Sequence, residues 1–296
     1  MDLDWADIRL FLAVAESGSL SAAAKKLTVG QPTVSRRLAD LEYRVGARLF
    51  QRTPAGVQLS AAGERLVEPA RRMAEWAGEV ARAAAGTERV PSGVVRIAAA
   101  PGIAQEVVAP FAAWLRPRLP KIRIELLCST HFLDLARGEA DLALRTKKPS
   151  TPDLTTLATL EHTVGVYAAK SYAKGLKKPI QLGSLDWIAW APPYQDTPPN
   201  PQLEAAIPGF VPAFTSDDYL VQLAALDAGM GAMVLGDVRH RFEPKRGRVR
   251  LDIDLGPVGR AALHVVAAKS ALDAPRVRAV AEVLVDLIAE VQRTNR

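Results

Sequence analysis

Cysteine is almost absent from this chain: Cys128 stands alone among 296 residues. One thiol cannot close an intrachain disulfide, which excludes a disulfide scaffold and suits a reducing compartment. Histidine is scarce too. His131, His162, His240 and His264 are the only four, and none has metal-ligand spacing to another or to Cys128, so no metal or other cofactor is expected. No apolar run approaches the roughly 20 residues a membrane helix needs. The opening residues, MDLDWADIRLF, are acidic where a secretory leader would be basic. These absences point to a cytoplasmic protein with no membrane partner. Walker, nucleophile-elbow and dinucleotide-binding motifs are missing from strand–turn–helix contexts, so the chain is not expected to be an enzyme.

What is present is ordinary in amount and uneven in placement. Hydrophobic residues make up 49% and charged residues 24%, as in soluble globular proteins, and the length suits about two domains. The net charge is +6. Residues 25–60 alone carry +5, from Lys25, Lys26, Arg36, Arg37, Arg44, Arg48 and Arg52 against Asp40 and Glu42, whereas residues 61–89 balance to zero. A compact positive face beside a neutral segment suits phosphate, although a solvated charged face has the same composition.

Asp7 to Glu16 reads as a helix, with Ile8, Phe11, Leu12 and Ala15 on one stripe. Ser17-Gly18 stops it, and Ser19 caps a second short helix, Leu20 to Leu27. After the turn Thr28-Val29-Gly30, a third helix starts near Gln31 with Pro32 in its first turn. Val34, Leu38 and Leu41 form its buried stripe. Gln31, Thr33, Arg36 and Arg37 lie away from that stripe, with Ser35 at its boundary. Two helices joined by a short turn containing glycine make a helix-turn-helix candidate, whose second helix enters the DNA major groove N-terminal end first. Gln suits adenine, Arg suits guanine, and Ser or Thr suits a base or a phosphate. The run from Arg48 to Leu59, turning at Pro54 and Gly56, reads as a small wing that carries Arg52 toward a phosphate or the minor groove.

These residues carry a family resemblance. The stretch from Ile8 to Ala24, with Ser17-Gly18-Ser19-Leu20 at its centre, and the following GQPTVSRRLADLEYRVGARLFQRTPAGVQLSAAGERL resemble the N-terminal domain of LysR-type transcriptional regulators. The resemblance implies that Gln31, Pro32, Ser35 and Arg36 meet double-stranded operator or promoter DNA and that Arg52 lies in the wing. Gly30 stands where the family often has Ser, so the third helix starts without a side-chain acceptor.

Ala62 to Thr87 reads as one long helix. Leu66, Ala70, Met73, Ala77, Val80 and Ala84 recur at alternating spacings of four and three, a heptad seam that predicts a coiled-coil dimer; packing against the chain's own domain is the alternative. Gly86 and Val90-Pro91-Ser92-Gly93 then break the chain as a linker does. In the family this helix is the dimer interface. The resemblance implies a homodimer, assembled further into a homotetramer, with RNA polymerase as a further partner.

From Val94 strands alternate with helices: a strand at 94–99, a helix to about Leu119, a strand at 121–127, a helix ending at Gly138 and a strand at 140–144. This pattern predicts a parallel, doubly wound sheet, with a second α/β set to about residue 268 and a final helix from Asp273 to Gln292. Leu135…Gly138-Glu139-Ala140-Asp141-Leu142 and Gly229-Met230-Gly231-Ala232 resemble the same family's effector-binding domain, which is similar to periplasmic binding proteins. The expected fold is therefore α/β with an N-terminal all-α winged helix-turn-helix domain and a C-terminal sensor of two subdomains. The expected boundaries are 1–60 for the DNA reader, 61–90 for the linker helix and 91–296 for the effector-binding domain. Subdomain 1 takes about 91–161 and 268–296, and subdomain 2 about 162–267, with crossover strands near 161–167 and 262–268.

Open α/β sheets bind ligands beyond the carboxyl ends of their strands. That rule selects Ala100, Pro101, Gly102, Ile103, Cys128, Ser129, Thr130 and Arg145 on one side of a cleft, and Trp190, Thr215, Ser216 and Leu235 on the other. Cys128 and Ala100 stand where the family commonly has hydroxyls, and Cys128 reads first as a small buried core residue. The Pro-rich run 192–201 reads as an exposed loop in preference to a flap. The basic cluster Arg239, Arg241, Lys245, Arg246, Arg248 and Arg250 reads as a solvated turn. The function that follows is sequence-specific DNA binding modulated by a small-molecule effector. A solute-binding or catalytic α/β protein with an incidental helical N-terminus is the alternative.

Overall fold

A computed structural model describes residues 3–54, 56–84, 91–242 and 247–295. The chain divides into two compact units, Met1–Arg89 and Val90–Arg296.

The first unit opens with three helices, α1 (Trp5–Ser17), α2 (Leu20–Leu27) and α3 (Gln31–Val45). Their starts follow from the caps. Asp4 accepts from the Ala6 N–H and Ser19 from the Ala22 N–H, satisfying amides that a helix leaves unpaired. Gly30 offers α3 no side-chain bond. The expected stripe is buried: Phe11, Val34 and Leu41 are fully enclosed and Leu38 nearly so. A hairpin, β1 (Phe50–Thr53) paired with β2 (Gly56–Leu59), forms the wing. A Cβ at Gly56 would stand 2.4 Å from the Gly18 carbonyl oxygen, so the hairpin reaches the α1–α2 turn where only glycine fits. α4 (Ala61–Ala84) follows. The chain break foreseen at Gly86 and Val90 lies outside the described residues.

α4 corrects half of the heptad seam. Ala70 is buried in the core of its own unit, with Leu66 packed beside it. Spacing alone does not distinguish a partner helix from the chain's own α1, and here α1 and the hairpin fill that role. Met73, Trp76 and Val80 are 42%, 42% and 68% exposed. The side chain of Ala84 lies outside the described set.

The second unit runs through β3 (Gly93–Ala99), α5 (Pro101–Ile103), a π-helical turn (Ala104–Val108), α6 (Ala109–Leu115), β4 (Ile122–Cys128) and β5 (Leu142–Arg145). These strands pair in parallel, β4-β3-β5. Then come β6 (Leu154–Ala169), α7 (Lys170–Ala173), β7 (Ile188–Trp190), α8 (Asn200–Ala206), β8 (Phe214–Ser216), α9 (Tyr219–Asp227), β9 (Ala232–Asp237), β10 (Arg248–Arg250), β11 (Arg260–Ala268) and α10 (Pro275–Thr294). β6 and β11 are long antiparallel partners. β11 joins β5, and the far end of β6 takes β9 and β10. They are the crossovers, and they make the sheet mixed where a purely parallel one was expected. The helix foreseen before Gly138 is a run of turns, opened by the Asp134 carboxylate, which takes the Ala136 and Arg137 amides at 3.0 and 3.2 Å, and closed at once by Gly138, whose left-handed backbone returns its N–H to the Leu135 carbonyl. Two main cores result: one joins α6 and α10 to the parallel strands, and the other surrounds Trp187.

The basic cluster is not a solvated turn. Arg248 carries two bonds to Asp227, at 2.6 and 2.8 Å, and lies 3.5 Å from Glu106 in the π-helical turn, with only 8% of its side chain exposed. Arg250 pairs with Asp237, and Arg241 with Glu290 while lying over the Trp114 ring. Lys245 and Arg246 lie outside the described residues.

Candidate functional site

Two places gather the foreseen residues, one in each unit. In the first unit, Gln31, Pro32 and Arg36 are exposed at the start of α3, with Thr33 and Ser35 partly exposed beside them. Gln31 and Ser35, like Pro32 and Arg36, are one turn apart and share a face. Arg36, and Arg52 on the wing, are exposed and make no ion pair among the described residues. Arg37 is different. It turns to Asp7 of α1 at 2.8 Å, and Arg44 closes on the other oxygen of the same carboxylate. Burial opposes ionisation of Asp7, but the hydrogen bonds from Arg44 and Arg37 outweigh it and hold the carboxyl below its ordinary range.

This clamp fixes α3 on α1, and its pH dependence follows. A lowered native pKa contributes stability that is complete above the unfolded value of about 4 and is lost as pH falls through the native value. Asp7→Asn is expected to melt the first unit several degrees lower at neutral pH. It should also flatten that unit's acid-side melting profile. Calorimetry between neutral and acid pH measures both, and an unchanged profile would deny the clamp.

Glu42 was not foreseen. Its buried carboxylate accepts from the Leu49 and Phe50 amides at 2.7 and 3.1 Å and from Arg48 at 3.0 Å. It ties the end of α3 to the first strand of the wing. A charged residue at a buried helical position was the available sign.

In the second unit, Ala98–Ala100 at the end of β3, Ser129–Leu133 beyond β4 and Ala143–Thr146 at β5 line one pocket. Ser129 and Thr130 are therefore brought together with Arg145 and Ala100. The Thr130 hydroxyl lies 2.7 Å from the Tyr194 hydroxyl, and the His131 and Tyr194 rings meet edge to face at 5.9 Å. Tyr194 belongs to the Pro-rich run, so that run crosses the cleft and is not a free loop. Asn200 holds its root through bonds to both the N–H and C=O of Trp190. Tyr219 stacks near Trp190 at 6.1 Å and sits so close to Gly102 that a Cβ there would be 2.5 Å from its ring.

The remaining positions divide. Ser216 accepts from the Asp218 N–H through its hydroxyl, while Thr215 is exposed. Ile103 packs against the α10 core, and the partly buried Leu235 packs with Ile188, Leu223 and Met233. Cys128 is exposed, against the expected burial. Its strand parity points it to the helix side, but it is the last residue of β4, at the open end of the sheet. Partial desolvation, and then the Asp218 carboxylate, push its thiol pKa up. Tyr194, His131 and Phe132, which lie in loops, and Tyr219, the first residue of α9, escaped the choice of site residues because the strand-end rule stops at the residues next to each strand. Among the described residues no cluster of His, Cys, Asp or Glu is placed to hold a metal, and no helix is long and apolar enough to cross a membrane.

Residues 5–64 match the family model of the bacterial regulatory helix-turn-helix protein, lysR family, and residues 88–289 match that of the LysR substrate binding domain. An HTH-type transcriptional regulator of Xanthomonas campestris is 27% identical over 187 residues, 63% of this chain and 54% of the relative, so the match spans about half the relative's length. The Mau operon transcriptional activator of Paracoccus denitrificans is 27% identical over 79% of this chain and 80% of its own. Full-length CbnR, solved in complex with its target DNA, shares the fold at a TM-score of 0.60 and 20% identity, covering 99% of this chain and 100% of that one. With a DNA-reading unit at its start and a substrate-binding unit over more than half its length, the chain belongs to the LysR family of transcriptional regulators.

Proposed function

We propose that this regulator reads a specific operator through Gln31, Pro32, Thr33, Ser35, Arg36 and Arg52, and that a small molecule in the cleft of the second unit alters that binding. The observation that carries the reading is the exposed Arg36, which makes no ion pair among the described residues, beside Gln31 and Ser35 on a helix clamped from behind. Arg37 supports the surface from the Asp7 side. Met73, Trp76 and Val80 form the dimer stripe of a cytoplasmic homodimer, which pairs again as a tetramer and meets RNA polymerase at the promoter. The domain boundaries 1–60, 61–90 and 91–296 serve this division of labour. A solute-binding or catalytic protein with an incidental N-terminus accounts for the cleft but not for the helix-turn-helix match.

Arg36→Ala is expected to cost about 1–3 kcal/mol of specific binding, the value of a bidentate guanine contact. Gel shifts on the DNA upstream of its own gene measure it, against a nonspecific duplex at equal salt. Unchanged discrimination with the fold intact by circular dichroism removes Arg36 from the reading surface. Repeating the shift with pooled metabolites tests modulation, and operator affinity indifferent to every pool counts against it.

A further inference from the structure

We propose that the second unit carries a phosphate-facing surface of its own, built from Arg118, Arg239, Arg241 and Arg293 around Trp114, and that its partner is the sugar–phosphate backbone of duplex DNA. The contact adds affinity without reading sequence, so it goes beyond the operator reading assigned to α3 and the wing.

Three segments distant in the chain meet here. Arg118 follows α6; its guanidinium lies 3.8 Å from the centre of the Trp114 ring and donates to the Trp114 carbonyl at 2.7 Å. Arg241 comes from the segment after β9 and lies 4.9 Å from the same ring centre, and Phe242 meets that ring edge to face at 6.2 Å. The Arg239 backbone is bonded through both its N–H and its C=O to Asn295, just past α10. Glu290 of α10 pairs with Arg241 and lies in the field of Arg293, one turn further on. All four arginines are exposed. Among the described residues Arg118, Arg239 and Arg293 make no ion pair, and Glu290 is the only acid bonded to the group. Four guanidiniums against one carboxylate leave a clear positive excess.

Order separates this surface from a solvated charged face. A long cationic side chain gives up rotamer freedom when it binds, and stacking on the indole has already removed much of it from Arg118 and Arg241. A guanidinium stacked by its face keeps its N–H edge for a phosphate, which can take two donors at once. A protein partner fits less well. The Trp114 and Phe242 rings are partly buried against the core of α6 and α10. None of this unit's exposed large apolar side chains, Phe132, Val211, Leu220, Val221 and Met230, belongs to the group. The surface offers charge and donors but little apolar area to bury, which suits a phosphate backbone.

The test measures the affinity of the full chain for a nonspecific duplex of about 60 base pairs across a range of salt. Each arginine that neutralises a phosphate adds about one to the slope of log affinity against log salt. Arg118→Gln, Arg239→Gln and Arg293→Gln together are expected to lower that slope by about two to three, and to weaken binding about tenfold or more at roughly 0.1 M salt. Lysine at the same three positions keeps the charges and should keep the slope. The three side chains are exposed, so neither set should unfold the chain. Lys174→Gln, Lys177→Gln and Lys178→Gln together remove exposed charges from the segment after α7 and should change the slope little. The ratio of operator to nonspecific affinity should stay at the wild-type value, unlike in Arg36→Ala, so the two assignments fail separately. An unchanged slope in the arginine-to-glutamine variant, or an equal drop in the lysine-to-glutamine control, would overturn the assignment. Loss of self-association in sedimentation velocity would overturn it too, by giving the surface to a second copy of the chain.

Discussion

Arg248→Met is expected to lower the melting temperature of the second unit by roughly 4–12 °C. The guanidinium is nearly buried between Asp227, at the end of α9, and Glu106, in the π-helical turn after α5. Removing it takes a nearly buried cation away from both carboxylates. Breaking a fully buried pair costs about 3–5 kcal/mol, but Asp227 is half-exposed and Glu106 partly so, which reduces the cost to about 2–3 kcal/mol. At roughly 2–4 °C per kcal/mol for a unit of this size, the stated range follows. Arg248→Lys keeps the charge but loses the fork and should fall between the two. Differential scanning calorimetry on all three proteins decides it. A methionine variant that melts with the wild type would mean that the bridge contributes nothing.

The second large effect concerns assembly. Val80→Asp, alone or with Met73→Asp, should weaken self-association by about a hundredfold or more, because the proposed two-fold contact would set like charges together out of water. Both residues are exposed on α4 and outside the core of their own unit, so neither change should unfold the chain. Sedimentation velocity measures the dimer fraction, and operator affinity should drop with it as two half-sites lose their link. A doubly substituted chain that remains dimeric places the contact elsewhere. Ala70→Asp is the contrast: its site is buried at home, so it should lower stability before it affects association.

That contrast shows what the sequence could and could not convey. The stripe Val34–Leu38–Leu41 was legible because its apolar residues recur at helical spacing in an otherwise polar helix. Ala70 and Met73 obey the same spacing yet meet different neighbours, and periodicity records a face without naming what covers it. Trp76 was passed over for Ala77, one position away, because the heptad favoured regularity over side-chain size. In the second unit the crossovers and the strand ends at Ala100, Ser129 and Arg145 were legible from alternation and topology. Tyr194 was not, since its meeting with Thr130 depends on the path of the Pro-rich run. The basic residues from 239 to 250 looked solvated because their acids, Glu106, Asp227 and Glu290, are distant in the chain.

The carboxylate of Glu42 has a consequence for the DNA. With α3 bonded to β1, and the Val57 amide bonded to the Gly18 carbonyl at 2.9 Å, the recognition helix and the wing form one stiff gauge. A rigid gauge leaves the duplex to make the adjustment. Bending or narrowing a groove costs elastic energy that depends on the steps being deformed. With α3 and Arg52 on the DNA as proposed, operators are expected to be ranked partly at base pairs that no side chain touches, by how easily they take up the distance between the two.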